Sequence, residues 1–240
     1  MRILVISDIH ANLTALEAVL ADAGTVDAVW CLGDVVGYGP DPNECIVRLG
    51  ELPNLVCLQG NHDAAAIGEL PLESFNAEAR TSVEWLRDIL TPESLSFLLT
   101  LQPMRVENHV TLAHASPRQP VLEYLLDSYS ALENFGYFDT PFCFVGHTHV
   151  PVLFIKHGAG INLQIPATNT SVELHDRCIA NPGSVGQPRD RDPRASYAIF
   201  DPQSASWHYK RVEYDIPEVQ TRMLAAGLPE RHISRLSGGW

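Results

Sequence analysis

Positive charge is what this 240-residue sequence has least of: 16 Lys and Arg stand against 29 Asp and Glu, a formal net charge of −13. A chain this acidic lacks the basic footprint of a non-specific nucleic-acid binder or an anionic-membrane binder. Long apolar runs are missing too, and none approaches the ~20 residues of a membrane span. No basic, apolar leader precedes the first apolar run at Ile3-Leu4-Val5-Ile6, so a cytoplasmic location is expected. Cysteine is scarce and unsuited to a disulfide framework: five residues at 31, 45, 57, 143 and 178, an odd number with no Cys-x-x-Cys. Cys31, Cys57 and Cys143 sit in apolar runs and read as small buried hydrophobes. No internal repeat, low-complexity segment or linker divides the chain. What is present, 45% hydrophobic and 19% charged residues, suits a globular protein with one core, a single domain over 1–240.

Two grammars follow one another. The first half alternates short apolar runs with helical patterns. Ile3–Ser7, Val26–Leu32 and Leu55–Leu58 read as buried strands, and Val110–Ala113 and Phe142–Val145 as two more. Between them, Leu13, Leu16, Val19, Leu20 and Ala23 recur at helical spacing after Asn12, a plausible N-cap, and stop at Gly24. Asp41-Pro42 starts a short helix through Leu49, residues 63–102 read as helix in pieces, and Leu122–Phe135 reads as helix. Successive strand–helix units imply parallel strands with right-handed crossovers. After residue 150 the runs shorten and turn signals separate them: Val152–Ile155, Ile161–Ile165, Ser171–Leu174, Arg177–Ala180, Tyr197–Phe200 and Trp207–Val212. This is an antiparallel meander, closed by a helix over Ile216–Ala226 and a polar tail. The pattern predicts an α/β (α+β) chain with two packed mixed β-sheets flanked by helices, an αββα sandwich.

The informative residues follow the strands. The first strand runs into Asp8-Ile9-His10, the second into Gly33-Asp34, and the third into Gly60-Asn61-His62-Asp63. Val110–Ala113 runs into His114, and Phe142–Val145 into Gly146-His147-Thr148-His149. Alone, each is an ordinary turn or surface residue. Together they place Asp, His or Asn at the carboxy end of every strand in the first half, the edge where open α/β sheets bind ligands. These are oxygen and nitrogen metal ligands with no thiolate among them. Pairs two residues apart project to one side of an extended chain, so Asp8 and His10, or His147 and His149, can reach one centre or straddle two. His109, His157, His175, His208 and His232 lack such a setting and read as structural or surface residues.

In order, these segments resemble the signature of the calcineurin-like metallophosphoesterase family: D-x-H, G-D, G-N-H-[ED], a lone His, then G-H-x-H. The later Asn181-Pro182-Gly183-Ser184-Val185-Gly186-Gln187-Pro188-Arg189 is similar to the small bacterial and archaeal members. The resemblance implies two divalent metal ions, with Asp8, His10, Asp34 and His149 on one and Asp34, Asn61, His114 and His147 on the other, Asp34 bridging. Two such carboxylates leave the centre net positive, able to bind phosphate and a metal-bridging hydroxide. Mixed nitrogen and oxygen ligation favours Mn or Fe and admits Zn, Ni or Mg. His62 is not a ligand in the family; it would donate a proton to the leaving group or bind a phosphate oxygen, with Asp63 orienting it.

The implied activity is a metal-dependent phosphoric ester hydrolase acting on a small phosphoester, with no membrane and no extended nucleic acid as partner; the oligomeric state stays open. One departure bears on substrate. Phosphoprotein phosphatases and symmetrical dinucleoside polyphosphate hydrolases of the family carry G-D-x-x-D-R-G, whereas this sequence has Gly33-Asp34-Val35-Val36-Gly37-Tyr38-Gly39. The arginine that grips a phosphate dianion is missing, which favours a phosphodiesterase over a phosphatase. Arg118 and Arg189 are the candidate replacements. Three alternatives remain: a phosphomonoesterase of the protein-phosphatase kind, a nuclease, and a scaffold on the same fold like the trafficking-coat subunit that resembles this family. The acidic charge opposes the nuclease, and the presence of His62, which that subunit lacks, opposes the scaffold.

Overall fold

The computed structural model describes residues 1–240. Its first part is a run of strand–helix units: β1 (Ile3–Ile6), α1 (Leu13–Ala23), β2 (Ala28–Cys31), α2 (Pro42–Gly50), β3 (Leu55–Cys57) and α3 (Asn61–Ala66). Two helices follow, α4 (Ala77–Ile89) and α5 (Pro92–Leu98), then β4 (Met104–Glu107), β5 (Val110–Ala113), α6 (Ser128–Asn134) and β6 (Phe142–Phe144). The remainder is β7 (Val152–His157), β8 (Gly160–Gln164), β9 (Thr170–Glu173), β10 (Cys178–Asn181), β11 (Ala195–Asp201) and β12 (Ser206–Val212), then α7 (Ile216–Ala225) and α8 (Glu230–Gly238).

Helix starts follow side-chain chemistry. The Asn12, Asn76, Thr91 and Asp127 side chains accept the backbone N–H three residues on, filling donors that a helix leaves free. Pro42 and Pro92 sit in the first turn, where a missing N–H costs nothing.

The strands form two six-stranded mixed sheets, ordered β3-β2-β1-β11-β12-β9 and β4-β5-β6-β10-β7-β8. In the first, β1, β2 and β3 run parallel and β11 pairs antiparallel with β1. In the second, β5, β6 and β10 run parallel while β4 and β7 are antiparallel to their neighbours. Alternation along β1 divides the core. Ile3 and Val5 point between the sheets, meeting Trp30, Phe144, Phe200 and Trp207, while Leu4 and Ile6 point outward onto α1 and α2. The β5–β6–β10 sheet packs its other face on Ala131 of α6 with Phe135 and Phe138. The order helices–sheet–sheet–helix is the predicted αββα sandwich.

Four local expectations change. The strands after residue 150 are not one meander: β7, β8 and β10 join one sheet, where β10 runs parallel to β6, and β9, β11 and β12 join the other. The helix predicted over Leu122–Phe135 is α6 alone; Leu122 and Leu126 stand at helical spacing but are exposed. The exposed edge strand β4 went unpredicted because its pairing to β5 is carried by backbone rather than by buried side chains. The polar tail is α8, packed on α7 through Val219, Met223, Leu228, Ile233 and Leu236. All five cysteines are unpaired, and no helix is long and apolar enough to cross a membrane.

Candidate metal centre

Parallel strands deliver the polar segments to one edge because they end on the same side. β1, β2 and β3 lead into Asp8, Asp34 and Asn61, and β5 and β6 of the facing sheet lead into His114 and His147. Turning these side chains inward puts backbone where L residues rarely go: φ is +54° at Asp8, +49° at His10, +52° at Asp34, +64° at His147 and +60° at His149. Conformations of this kind cost of order 1–3 kcal/mol each and persist where their surroundings enforce them. Here backbone bonds do so: Asp8 N donates to Gly33 O and His10 N to Asp34 O, both at 3.0 Å. Gly33 (φ +100°) lets two loops touch, since a Cβ there would lie 2.8 Å from Gly60 N.

The side chains converge in two overlapping groups. Asp8, His10, Asp34 and His149 offer ligand atoms within 4.8 Å of one another, and so do Asp34, His114 and His147. Asn61 joins the second group, its Oδ1 lying 3.3 Å from His114 Nε2. Asp34 belongs to both: its Oδ2 is 3.6 Å from His10 Nε2 and 3.6 Å from His114 Nε2. Its Oδ1 accepts the His62 backbone N–H at 2.9 Å, which fixes the carboxylate plane. Asp8 Oδ1 stands 3.4 Å from His149 Nε2 and accepts the His147 N–H.

Three of the four imidazoles are oriented from behind. The Nδ1 atoms of His10, His114 and His149 face the carbonyls of Val36 (3.1 Å), Leu32 (2.8 Å) and Gln187 (2.6 Å). A carbonyl only accepts, so each Nδ1 carries the hydrogen and each Nε2 presents a lone pair to the centre. His147 Nε2 is buried with no partner at all. Burial is the main cause pushing His10, His147 and His149 well below the usual histidine range, so they are neutral. Burial likewise raises the Asp8 carboxyl to about 7 and pushes Asp34 well up. Converging lone pairs, an orphan nitrogen and two buried carboxylates without cationic partners fit metal ions.

Around this centre lies an open pocket of about 270 Å³, lined in part by His62, Tyr38, Phe75, Tyr124 and Arg189. His62 packs edge-on to His10 (5.0 Å between ring centres) and Phe75, and tilted on Tyr38 at 4.3 Å. Its Nδ1 is buried and unpartnered against Gly37. Asp63 does not orient that ring. Its carboxylate accepts the backbone N–H groups of Gly60 (2.9 Å), Val36 (3.1 Å) and Val35 (3.3 Å), clamping the Asp34 loop to the start of α3. Of the two candidate arginines, Arg118 is held by Glu123 and Glu133, whereas Arg189 stands on the pocket wall. His109, His157, His175 and His208 are exposed, as the sequence led us to expect. His232 is not: it is 1% exposed and packs on Tyr38 with 4.4 Å between ring centres. Phe75 and Tyr124 also escaped the sequence reading, and Tyr38 entered it only as part of the second block, because aromatic residues in loops carry no periodic signal.

A model of the calcineurin-like phosphoesterase superfamily domain matches residues 1–205. An uncharacterised protein of Methanocaldococcus jannaschii is 39% identical over 236 residues, 95% of this chain and 94% of that protein. The crystal structure of a metallophosphoesterase from Sphaerobacter thermophilus is similar over 100% of this chain and 99% of that one, with 47% identity and a TM-score of 0.92. A hypothetical protein from Pyrococcus horikoshii shares the fold at 20% identity and a TM-score of 0.80, over 100% and 98% of the two chains. The chain belongs to the calcineurin-like phosphoesterase superfamily.

Proposed function

We propose that this member of the calcineurin-like phosphoesterase superfamily hydrolyses small phosphoesters, diesters among them, at a centre of two divalent metal ions. The observation that carries the reading is the single Asp34 oxygen equidistant from His10 and His114, the place of a bridging carboxylate. Asp8, His10, Asp34 and His149 would hold one ion, and Asp34, Asn61, His114 and His147 the other. The donor set favours Mn or Fe. Two such ions would polarise the phosphoryl oxygens and make a shared water easier to deprotonate.

The chain's own residues do the rest. Carbonyls of Val36, Leu32 and Gln187 keep three imidazoles in the tautomer that ligates. Asp63 locks the two loops that carry Asp34 and Asn61. His62 lines the pocket beside Asn61, where its ring N–H would serve the departing ester oxygen. The second block offers no arginine, and the pocket extends from the ligands to Ser74, Phe75 and Asn76, which leaves room for a second ester substituent. The deciding experiment is a panel of phosphomonoesters and phosphodiesters assayed on chelated protein, reloaded in turn with Mn, Fe, Zn, Ni and Mg. Restored hydrolysis with two ions per chain is expected. No turnover of any ester with any metal would refute the reading.

A further inference from the structure

Arg189 is the cation of this pocket, and its charge has no carboxylate partner. The acids nearest in sequence are engaged elsewhere: Asp190 pairs with Arg211, and Asp192 with Arg194 and Arg211. One guanidinium nitrogen, Nη2, donates to Gln187 Oε1 at 2.9 Å, while Nε is buried without a partner. The guanidinium carbon lies 5.7 Å from the Tyr38 ring centre. The segment is well anchored: Arg189 N donates to His149 O at 3.3 Å, and Gln187 O receives the His149 ring. The same turn that orients a candidate ligand therefore places the guanidinium. It lines the same pocket as Asp34, His62, His147 and His149. An unpaired guanidinium with an unsatisfied N–H, beside a cluster built for cations, has an anion as its natural complement.

Resting on the phosphoesterase reading, we propose that Arg189 grips the phosphoryl oxygen that a monoester leaves free and a diester has esterified. It thereby gives the chain a second activity, on small phosphomonoesters, without the second-block arginine. In that reaction a water oxygen bonds to phosphorus as the ester P–O bond breaks, its electron pair going to the leaving oxygen. One water proton ends on the alcohol and the other on the hydrogen phosphate. Arg189 stays protonated throughout and offers N–H donors to the dianion.

The test uses metal-loaded wild type, Arg189→Ala and Arg189→Lys with p-nitrophenyl phosphate and an alkyl p-nitrophenyl phosphate, which share a leaving group. A charged hydrogen bond of ordinary strength corresponds to a drop of about 10- to 150-fold in monoester kcat/KM for Arg189→Ala. Diester kcat/KM should fall far less, the inhibition constant of orthophosphate should rise with the monoester loss, and two ions per chain should remain. Arg189→Lys should recover part of the monoester activity. Equal losses on the two esters, no loss on either, or a variant that sheds its metals would overturn the proposal. A wild type that hydrolyses neither ester but binds orthophosphate through Arg189 would instead overturn the phosphoesterase reading and leave the grip standing.

Discussion

The Nε2 atoms of His10 and His149 face each other across 3.1 Å. Both Nδ1 atoms are already donating to carbonyls, Val36 for one and Gln187 for the other. Two neutral imidazoles in that tautomer have no hydrogen to share, so the contact sets lone pair against lone pair. A cation bound by both removes the conflict. Strong chelation should therefore lower the Tm, and adding back metal should restore it. A ligand present at 100 times its Kd contributes about 2.7 kcal/mol. Calorimetry of chelated and reloaded protein checks this; an unchanged Tm would mean that the cluster is stable without ions.

Asp34→Asn should reduce metal content more than any other ligand change, because only Asp34 belongs to both groups. Elemental analysis of single substitutions at Asp8, Asp34, His114 and His149 orders them. An Asp34→Asn variant holding two ions with wild-type affinity would remove the bridging role.

Metal affinity should rise with pH through about 7, the value to which burial lifts the Asp8 carboxyl, and Asp34, which burial also pushes up, adds to the rise. Below that value Asp8 is protonated in the metal-free protein, and binding must expel that proton. His10, His147 and His149 add no such requirement near neutrality, since burial holds them neutral. Titration calorimetry in buffers of different ionisation enthalpy should show more proton release at pH 6 than at pH 8. Release that is the same at both values would contradict the assignment.

His62→Ala should keep both metals and lose about 10²–10⁴-fold in kcat, the usual range for a general acid–base group. The loss should shrink for a nitrophenolate leaving group, which departs without a proton. Losses that do not depend on the leaving group would assign His62 to phosphate binding.

The centre was legible in the sequence because its residues had no other reason to be where they are. Asp, His and Asn directly after apolar strands expose a binding edge, and all seven candidate ligands lie there. What the sequence hid is what depends on tertiary placement. Arg118 and Arg189 look alike in sequence, and only the fold gives the first to Glu123 and Glu133. Asp63 is adjacent to His62, yet its helical position aims it at the Val35 and Val36 amides. In α8, Ile233 and Leu236 are too few to mark a helix, whereas packing on α7 makes it one.

His232 is the residue whose burial most departs from expectation, and it lies beyond the residues 1–205 that match the superfamily domain. Both its ring nitrogens are buried without a partner. Burial pushes its pKa down to about 4, against an unfolded value near 6.5. The unfolded chain thus binds more protons between those values, and the residue's contribution to stability falls as pH drops from about 6.5 to 4. His232→Phe keeps the ring against Tyr38 and removes the two unsatisfied nitrogens. The variant should match or exceed the wild type in stability at pH 7, and its advantage should widen steadily down to pH 4. His232→Ala should instead destabilise by about 2–4 kcal/mol, in the range of other large-to-small core truncations. It should also lower turnover, because Tyr38 packs on His62 and His10 as well as on His232. Urea titrations of the three proteins across that pH range, with metal content held equal, measure the difference directly. An advantage of Phe that stays flat with pH would show that His232 is solvated or hydrogen-bonded in solution. Unchanged turnover in the Ala variant would show that Tyr38 keeps its place without the His232 ring.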